Sequence, residues 1–224
     1  MDGDGGAEQR REAAPRSRRK LDPERTRQEI LRVARAEFAE HGFSGARVDR
    51  IGERTATAKR MIYYYFGNKE GLYLAVLEDV YAGIRSTEAT LDLDDLPADE
   101  AMGRLIDFTF DYERANVDFV RIIASENMNG ARFLRRSPRI REVNSDVVAS
   151  VGRILARGLA DGTFQRQAQP VDVHFMISAL CFYRVSNRLT FSEIFGCDLA
   201  SEEVTARHRR MIRDTILSYL RHAD

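Results

Sequence analysis

The sequence predicts an all-α protein of about nine helices, with a three-helix module at the front and a longer helical half behind it. Three observations carry that prediction. Apolar residues recur at helical spacing from Pro23 almost to the C-terminus, and no alternating run or hairpin signal of the kind a strand leaves interrupts them. The periodic segments break at Gly, Pro, Asn or Asp, the residues that end helices. Near the front, one long periodic segment is followed by two short ones joined by a turn of a few residues, the spacing of a braced helix-turn-helix.

Taken in order, residues 1–21 are rich in Gly, Arg and Ala and poor in hydrophobics, so a disordered basic tail is expected there, with Arg16, Arg18, Arg19 and Lys20 clustered at its end. Pro23 suits a first helical turn, and Ile30, Val33, Ala34 and Phe38 then share one face up to His41-Gly42, where Gly42 fits a C′ position. Val48 and Ile51 mark a second, short helix through about Arg54. A third runs from Thr57 through Met61 and Ile62 to about Tyr65. Leu72, Ala75, Val76 and Val80 continue as a connecting helix toward Ile84. After the acidic break Asp92 to Pro97 come a helix from Asp99 to about Ala115 and another from Phe119 to Met128. Ser137-Pro138 opens a long helix that ends in Gly158 to Gly162, and Gln169-Pro170 precedes an apolar helix from Val171 to Phe195. Ser201 caps a last helix to about Leu220, with Glu202 and Glu203 in its favoured first turn. The expected organisation is therefore the tail 1–21, a helix-turn-helix unit 22–68 and a helical unit 69–224.

Composition agrees with this class and excludes others. The chain has 224 residues, 43% hydrophobic and 31% charged, in the range of soluble domains. At that length roughly 70% of the unfolded surface can be buried, so a core needs neither disulfide nor metal. No run of about 18 uncharged apolar residues is present; the richest, Val173 to Tyr183, contains His174 and stops at Arg184. The first twenty residues have no apolar h-region, which argues against a secretory signal, and the expected location is the cytoplasm without membrane contact. Cys181 and Cys197 form no metal or redox pattern and read as reduced core thiols.

The total of 35 Lys plus Arg against 35 Asp plus Glu hides an uneven distribution. Residues 1–70 hold 16 basic and 12 acidic side chains, and within 10–60 the balance is 15 to 8. A local excess of that kind can neutralise backbone phosphates. The stretch Thr55 to Glu70 carries the specific signal. A short helix that buries Ile62 and Phe66 turns Lys59, Arg60, Tyr63 and Tyr64 outward, and such side chains bond to base edges and phosphates. Thr57 or Thr55 could cap this helix and leave its positive end toward a phosphate.

The segments Phe38-Ala39-Glu40-His41-Gly42-Phe43, Val48 with Ile51, Lys59, Ile62-Tyr63-Tyr64-Tyr65-Phe66, Asn68-Lys69-Glu70 and Leu72 together resemble the TetR family of transcriptional regulators over about residues 25–75. The resemblance implies that Lys59 and Arg60 approach bases in the major groove, that Tyr63 packs against the backbone or a base, and that Tyr64 and Lys69 hold phosphates. Arg47 stands where a small hydroxyl residue is usual before Val48, Ala56 replaces a turn glycine and Ala58 a helix-starting Ser. Arg47 and Thr57 complete the expected DNA-contacting set. Weaker matches at Gly158 to Phe164, at Ser186-Asn187-Arg188 through Gly196, and at Ser125 to Gly130 resemble regulators of nitrogen-heterocycle or aromatic-acid catabolism.

A small-molecule cavity between helices wants aromatic walls and a few polar groups. Phe108, Tyr112, Ile122, Phe133, Val147, Phe175 and Phe182 are candidate walls. Glu126, Asn127, Asn144, Ser178, Tyr183 and Asn187 are candidate orienting groups, and Arg121 or Arg184 could meet a ligand carboxylate; Arg184 could equally pair across a subunit interface. The last two helices carry more apolar surface than a monomer needs, and the resemblance implies a four-helix dimer bundle there. A two-fold dimer places its recognition helices about 34–36 Å apart, one turn of DNA. The expected function is a homodimeric, ligand-responsive repressor whose partners are an operator DNA and a small effector such as a heterocyclic or aromatic acid. The alternative is a constitutive DNA-binding repressor or activator without a ligand.

An enzyme is not expected. No phosphate loop or dinucleotide fingerprint is present, and Gly42-Phe43-Ser44-Gly45 is one residue short of a nucleophile elbow and follows a helix. The histidines at 41, 174, 208 and 222 have no metal-ligand spacing, and His174 reads as a satisfied core residue. No cofactor is expected.

Overall fold

In a computed structural model, which describes residues 22–223, the chain forms ten α-helices, two single 3-10 turns and no strand among those residues. The helices are α1 Pro23–Gly45, α2 Val48–Arg54, α3 Lys59–Phe66, α4 Lys69–Glu88, α5 Ala98–Ala115, α6 Val117–Met128, α7 Pro138–Asp161, α8 Pro170–Ser186, α9 Arg188–Phe195 and α10 Glu202–Arg221. The expected tail 1–21 lies outside the described residues.

The helix boundaries follow local chemistry. Asp22 caps α1 by accepting from the backbone N–H groups of Glu24 and Arg25, with Pro23 in the first turn. Gly42 interrupts α1 with φ 63°, a left-handed conformation that costs an L side chain dearly. A Cβ there would also press on Ser125 Oγ of α6 at 3.3 Å. Ser137 caps α7 at Ile140 and Ser201 caps α10 at Val204. Gly162 ends α7 in the left-handed conformation, φ 80°. The one helix expected over 171–195 is two. Its ladder breaks at Asn187, so α9 turns off from α8 although the apolar pattern runs on.

Two apolar clusters hold the molecule. The first joins α1–α4 to α6 and includes the fully buried rings of Phe38, Tyr73 and Phe133, each contributing roughly 1.5–3 kcal/mol by its removal from water. Phe133, in the segment after α6, meets Tyr73 edge-on at 5.0 Å and Phe43 at 4.6 Å. The second cluster packs α5, α7, α8 and α10, with Phe164 fitted so closely on Gly158 that an added Cβ would overlap its ring. The front helices therefore share their core with α4 and α6, and α4 runs on from there to pack against α7.

Candidate nucleic-acid interface and effector cavity

Glu37 organises the front module. It lies on the apolar side of α1, only 2% exposed, and its Oε1 accepts from the Arg47 N–H at 2.9 Å and from Arg50 Nη1 at 3.1 Å. A buried carboxylate held by two donors ties the start of α2 to α1. The α2–α3 turn is tight. The Thr57 N–H donates to Gly52 O at 2.9 Å, and Ala56 takes φ 48°, the left-handed value that a glycine adopts without strain. Neither threonine caps α3. Thr55 Oγ1 donates back to Ile51 O at 2.8 Å and Thr57 Oγ1 to Thr55 O at 3.1 Å, while Ala58 occupies the cap position and offers no side-chain acceptor. The expected cap is thus corrected, because both hydroxyls face carbonyls of the preceding turn.

On α3, Ile62 and Phe66 face the core, and Lys59, Arg60 and Tyr64 face outward, Tyr64 being 78% exposed. Tyr63 is half-buried with its ring 5.9 Å from Lys59 Nζ. Lys59 pairs with Asp49 of α2 at 2.9 Å, and its hydrogen bond to that carboxylate raises its pKa. Arg60 has no ion-pair partner among the described residues, and Arg47 leaves its side chain exposed. Lys69 at the start of α4 rests over the Phe43 ring at 4.9 Å and donates to Ser44 O at 3.3 Å; burial lowers its pKa. Thr57 is half-buried at the turn. Thr57, Lys59, Arg60, Tyr63, Tyr64 and Lys69 thus lie on α3 or the segments that flank it, whereas Arg47 stands at the N-cap of α2.

A cavity of about 380 Å³ opens between α4, α5, α6, α7 and α8. Tyr81, Phe119 and Phe182 give it aromatic walls; Arg85, Glu113, Asn144, His174 and Ser178 give it polar groups. Arg85 donates through Nε to Asn144 Oδ1 at 3.1 Å and through Nη1 to Glu88. Glu113 is only 4% exposed, and it makes no hydrogen bond or ion pair among the described residues. Burial pushes its pKa up to about 8 despite the opposing charge of Arg85, so it is largely protonated near neutral pH. Burial lowers His174 to about 4, with the Arg85 charge acting in the same direction. His174 is therefore a neutral, half-buried group on the cavity wall and not the satisfied core histidine expected.

Of the residues expected to line a ligand site, Asn144, Ser178 and Phe182 meet at this cavity. Phe108 and Tyr112 stand behind its wall, in a ring series that reaches Phe119 and Tyr81. The others are elsewhere. Ile122 is wholly buried in the first core, and Glu126, also wholly buried, accepts from the Phe133 and Leu134 N–H groups at 2.6 and 3.0 Å, anchoring the segment after α6. Asn127 is exposed, Val147 borders a separate cleft beside Glu88, and Phe133 is core. Phe175 and Tyr183 point outward, 69% and 55% exposed. Asn187 sits at the α8–α9 break and donates to Ser186 Oγ. Arg121 and Arg184 border a second cavity on the other face of α6. Sequence reasoning missed Glu37, Arg85 and Glu113, whose positions in amphipathic helices read as solvent-facing.

Among the described residues no helix is long and apolar enough to cross a membrane. A braced helix-turn-helix joined to a helical body with an open cavity between its helices defines the class of helix-turn-helix transcriptional regulators. Residues 30–76 match the family profile described as bacterial regulatory proteins, tetR family, and residues 99–216 match that of a tetracyclin repressor-like C-terminal domain. The chain is 36% identical to the HTH-type transcriptional repressor NicS of Pseudomonas putida over 198 residues, 88% of this chain and 93% of that protein. Over 57 residues, 25% of this chain and 30% of the relative, it is 47% identical to the repressor AcnR of Corynebacterium glutamicum. The fold matches the fatty acid degradation regulator FadR of Bacillus halodurans at a TM-score of 0.68 and 20% identity, covering 88% of this chain and 97% of that one. The chain belongs to the TetR family of transcriptional regulators.

Proposed function

We propose that this regulator is a repressor that binds a pseudo-palindromic operator as a homodimer and leaves it when a small molecule fills the cavity between α4 and α8. Residues 22–68 read DNA, and residues 69–224 sense the effector and pair the subunits. Arg60 and Lys59 meet base edges, while Arg47, Thr57, Tyr63, Tyr64 and Lys69 hold the backbone. The uncapped amides at the start of α3 add a positive end toward a phosphate. Repression as the direction of control is supported by the names of the relatives, NicS and AcnR among them.

The observation that carries this reading is that one helix serves both sites. The first turns of α4 pack in the same core as α1–α3, while Tyr81, Ile84 and Arg85 near its end line the cavity. A ligand that favours one setting of α4 thereby biases the spacing of the two recognition helices. The aromatic walls and the protonated Glu113 suit a planar heterocyclic or aromatic acid. An open cavity of about 380 Å³ favours this reading over a constitutive repressor with a filled core. Pairing is supported by the apolar side chains left outside: Val171, Phe175 and Tyr183 on α8, Leu189, Ile194 and Phe195 on α9, and Met211 on α10 are each more than half exposed.

The test is release of a labelled operator fragment by a panel of heterocyclic and aromatic acids, run on the wild type and on Ser178→Phe, which fills the cavity. The wild type is expected to release its DNA with at least one acid, and the variant to hold it throughout. Release from both proteins at equal concentrations would place the effector elsewhere.

A further inference from the structure

Among the described residues, Arg184 is a buried cation without an ion-pair partner. It is 6% exposed, its Nη2 donates to Leu199 O at 2.5 Å and to Thr205 Oγ1 at 2.6 Å, and both acceptors are neutral. Its guanidinium lies 4.7 Å from the Phe110 ring, and its Nε has no acceptor. The two hydrogen bonds that Arg184 makes are both within its own chain, to the segment at Leu199 and to α10. A buried arginine ordinarily faces a carboxylate, because an unpaired charge away from water is costly.

The surroundings add positive charge. Arg184 borders a cavity of about 310 Å³ between α6, α8, α9 and the segment at Leu199, and Arg114, Arg121 and Arg188 border it too, with no Asp or Glu in its lining. Arg114 has its nearest carboxylate, Asp111, at 3.8 Å, and Asp111 is also bound by Arg209. Arg121 and Arg188 have no ion pair among the described residues, and both are exposed. Burial, and then the charges of Arg114, Arg209 and Arg188, lower the pKa of Arg184, which is the direction expected where like charges gather. Val117, Val120 and Leu189 supply an apolar side to the same space.

We propose that this second cavity binds a small oxyanion, a carboxylate or phosphate group carried on a compact body, with the exposed Arg121 and Arg188 side chains as its donors and the buried charge of Arg184 behind them. The site is separate from the effector cavity. Phe119 and Ile123 of α6 face the effector cavity, whereas Val117, Arg121 and Ala124 face this one. Its volume is at the lower end of the roughly 300–1,000 Å³ of ligand sites, so a dianion with a few carbon atoms is the fitting size. Charge-assisted donors of this kind select a planar carboxylate or a tetrahedral phosphate over a halide.

The experiment is calorimetric titration of the full chain with succinate and, separately, with inorganic phosphate, against sodium chloride at matched ionic strength. Wild type is expected to saturate with one or both probes and not with chloride; which probe saturates separates the carboxylate source from the phosphate source. Arg121→Gln with Arg188→Gln, both at exposed positions, is expected to keep its helical circular dichroism and to bind at least tenfold more weakly. Arg184→Met is expected to abolish binding; should it fail to fold, the double variant still decides. No saturation in wild type, as when a carboxylate of a second copy already closes the cavity, overturns the proposal. Unchanged binding in the double variant does so as well.

Discussion

Arg35 of α1 and Asp118 of α6 form an ion pair across the seam between the helix that braces the recognition module and the helix that separates the two cavities. Nη2 donates to Oδ1 at 2.9 Å, and the Arg35 side chain is only 20% exposed. The same guanidinium reaches Asn116 Oδ1 at 3.3 Å, fixing the turn between α5 and α6. Farther along the seam, Glu70 at the start of α4 accepts from Arg132 and Arg136, each at 2.8 Å, and those bonds lower its pKa. These contacts, with Phe133 seated on Tyr73, give α4 and α6 a shared grip on the front module.

A double-mutant cycle on Arg35→Ala and Asp118→Ala is expected to return a coupling of about 1 kcal/mol in chemical denaturation, as for partly buried, charge-assisted pairs. The Arg35→Ala single variant is also expected to weaken the effect of the ligand on operator affinity while leaving operator binding itself within a few-fold of wild type. Additive stability losses from the two substitutions would deny the pair an energetic role.

On the recognition surface, contacts with phosphates and with bases separate by their salt and sequence dependence. Tyr64→Ala with Lys69→Ala is expected to weaken binding to all duplexes alike and to reduce the slope of log K against log salt by about 0.9 for the lost phosphate contact. Arg60→Ala is expected to relax preference at particular base pairs by about 1–3 kcal/mol each. Binding curves on the operator and on random DNA check both; an equal loss on the two DNAs for Arg60→Ala would refute the division.

Glu113 sets a pH dependence. Its folded pKa, about 8, lies above the ordinary 4.5, so the folded state holds the proton more tightly than the unfolded state does. Stability linked to this group is complete below about pH 4.5 and is lost as pH rises toward 8. Glu113→Gln is therefore expected to gain stability relative to wild type across that interval, by up to a few kcal/mol at the alkaline end. His174 acts in the opposite sense: its depressed pKa of about 4 means that stability present above pH 6.5 is lost as pH falls through that range. Urea midpoints at several pH values check both signs, and a Glu113→Gln difference that does not vary with pH would contradict the burial of an unpartnered carboxyl.

The sequence makes some of this legible and hides the rest for physical reasons. The start of α1 at Pro23, its interruption at Gly42 and the span of α2 follow from local signals, whereas α3 begins at Lys59, two residues after the threonine expected to open it. The break at Asn187 is hidden because apolar residues continue on both sides of it, and only packing turns α9 away from α8. Arg184 stands out as a charge in an apolar helix, but its acceptors lie 15 and 21 residues later, a distance no periodicity reports. By residue type Phe175 looks like a cavity wall and Tyr183 like an orienting group; helical phase puts both on the outer face of α8 while His174, Ser178 and Phe182 turn inward.

That outer face predicts the assembly. Phe175→Asp with Ile194→Asp is expected to convert a dimer into a monomer in analytical ultracentrifugation and to weaken operator binding at least tenfold, because each half-site is then held singly. Unchanged sedimentation would move the subunit contact to another surface.

The central claim, that this TetR-family chain recognises one operator as a two-fold dimer, is tested most directly by selection of bound fragments from sheared genomic DNA with the purified protein, followed by footprinting. The account predicts a pseudo-palindromic site whose half-sites are centred about 10 base pairs apart or a multiple of that, protected on successive major grooves. Recovery of fragments without a shared sequence, bound no more tightly than random DNA at physiological salt, would contradict it.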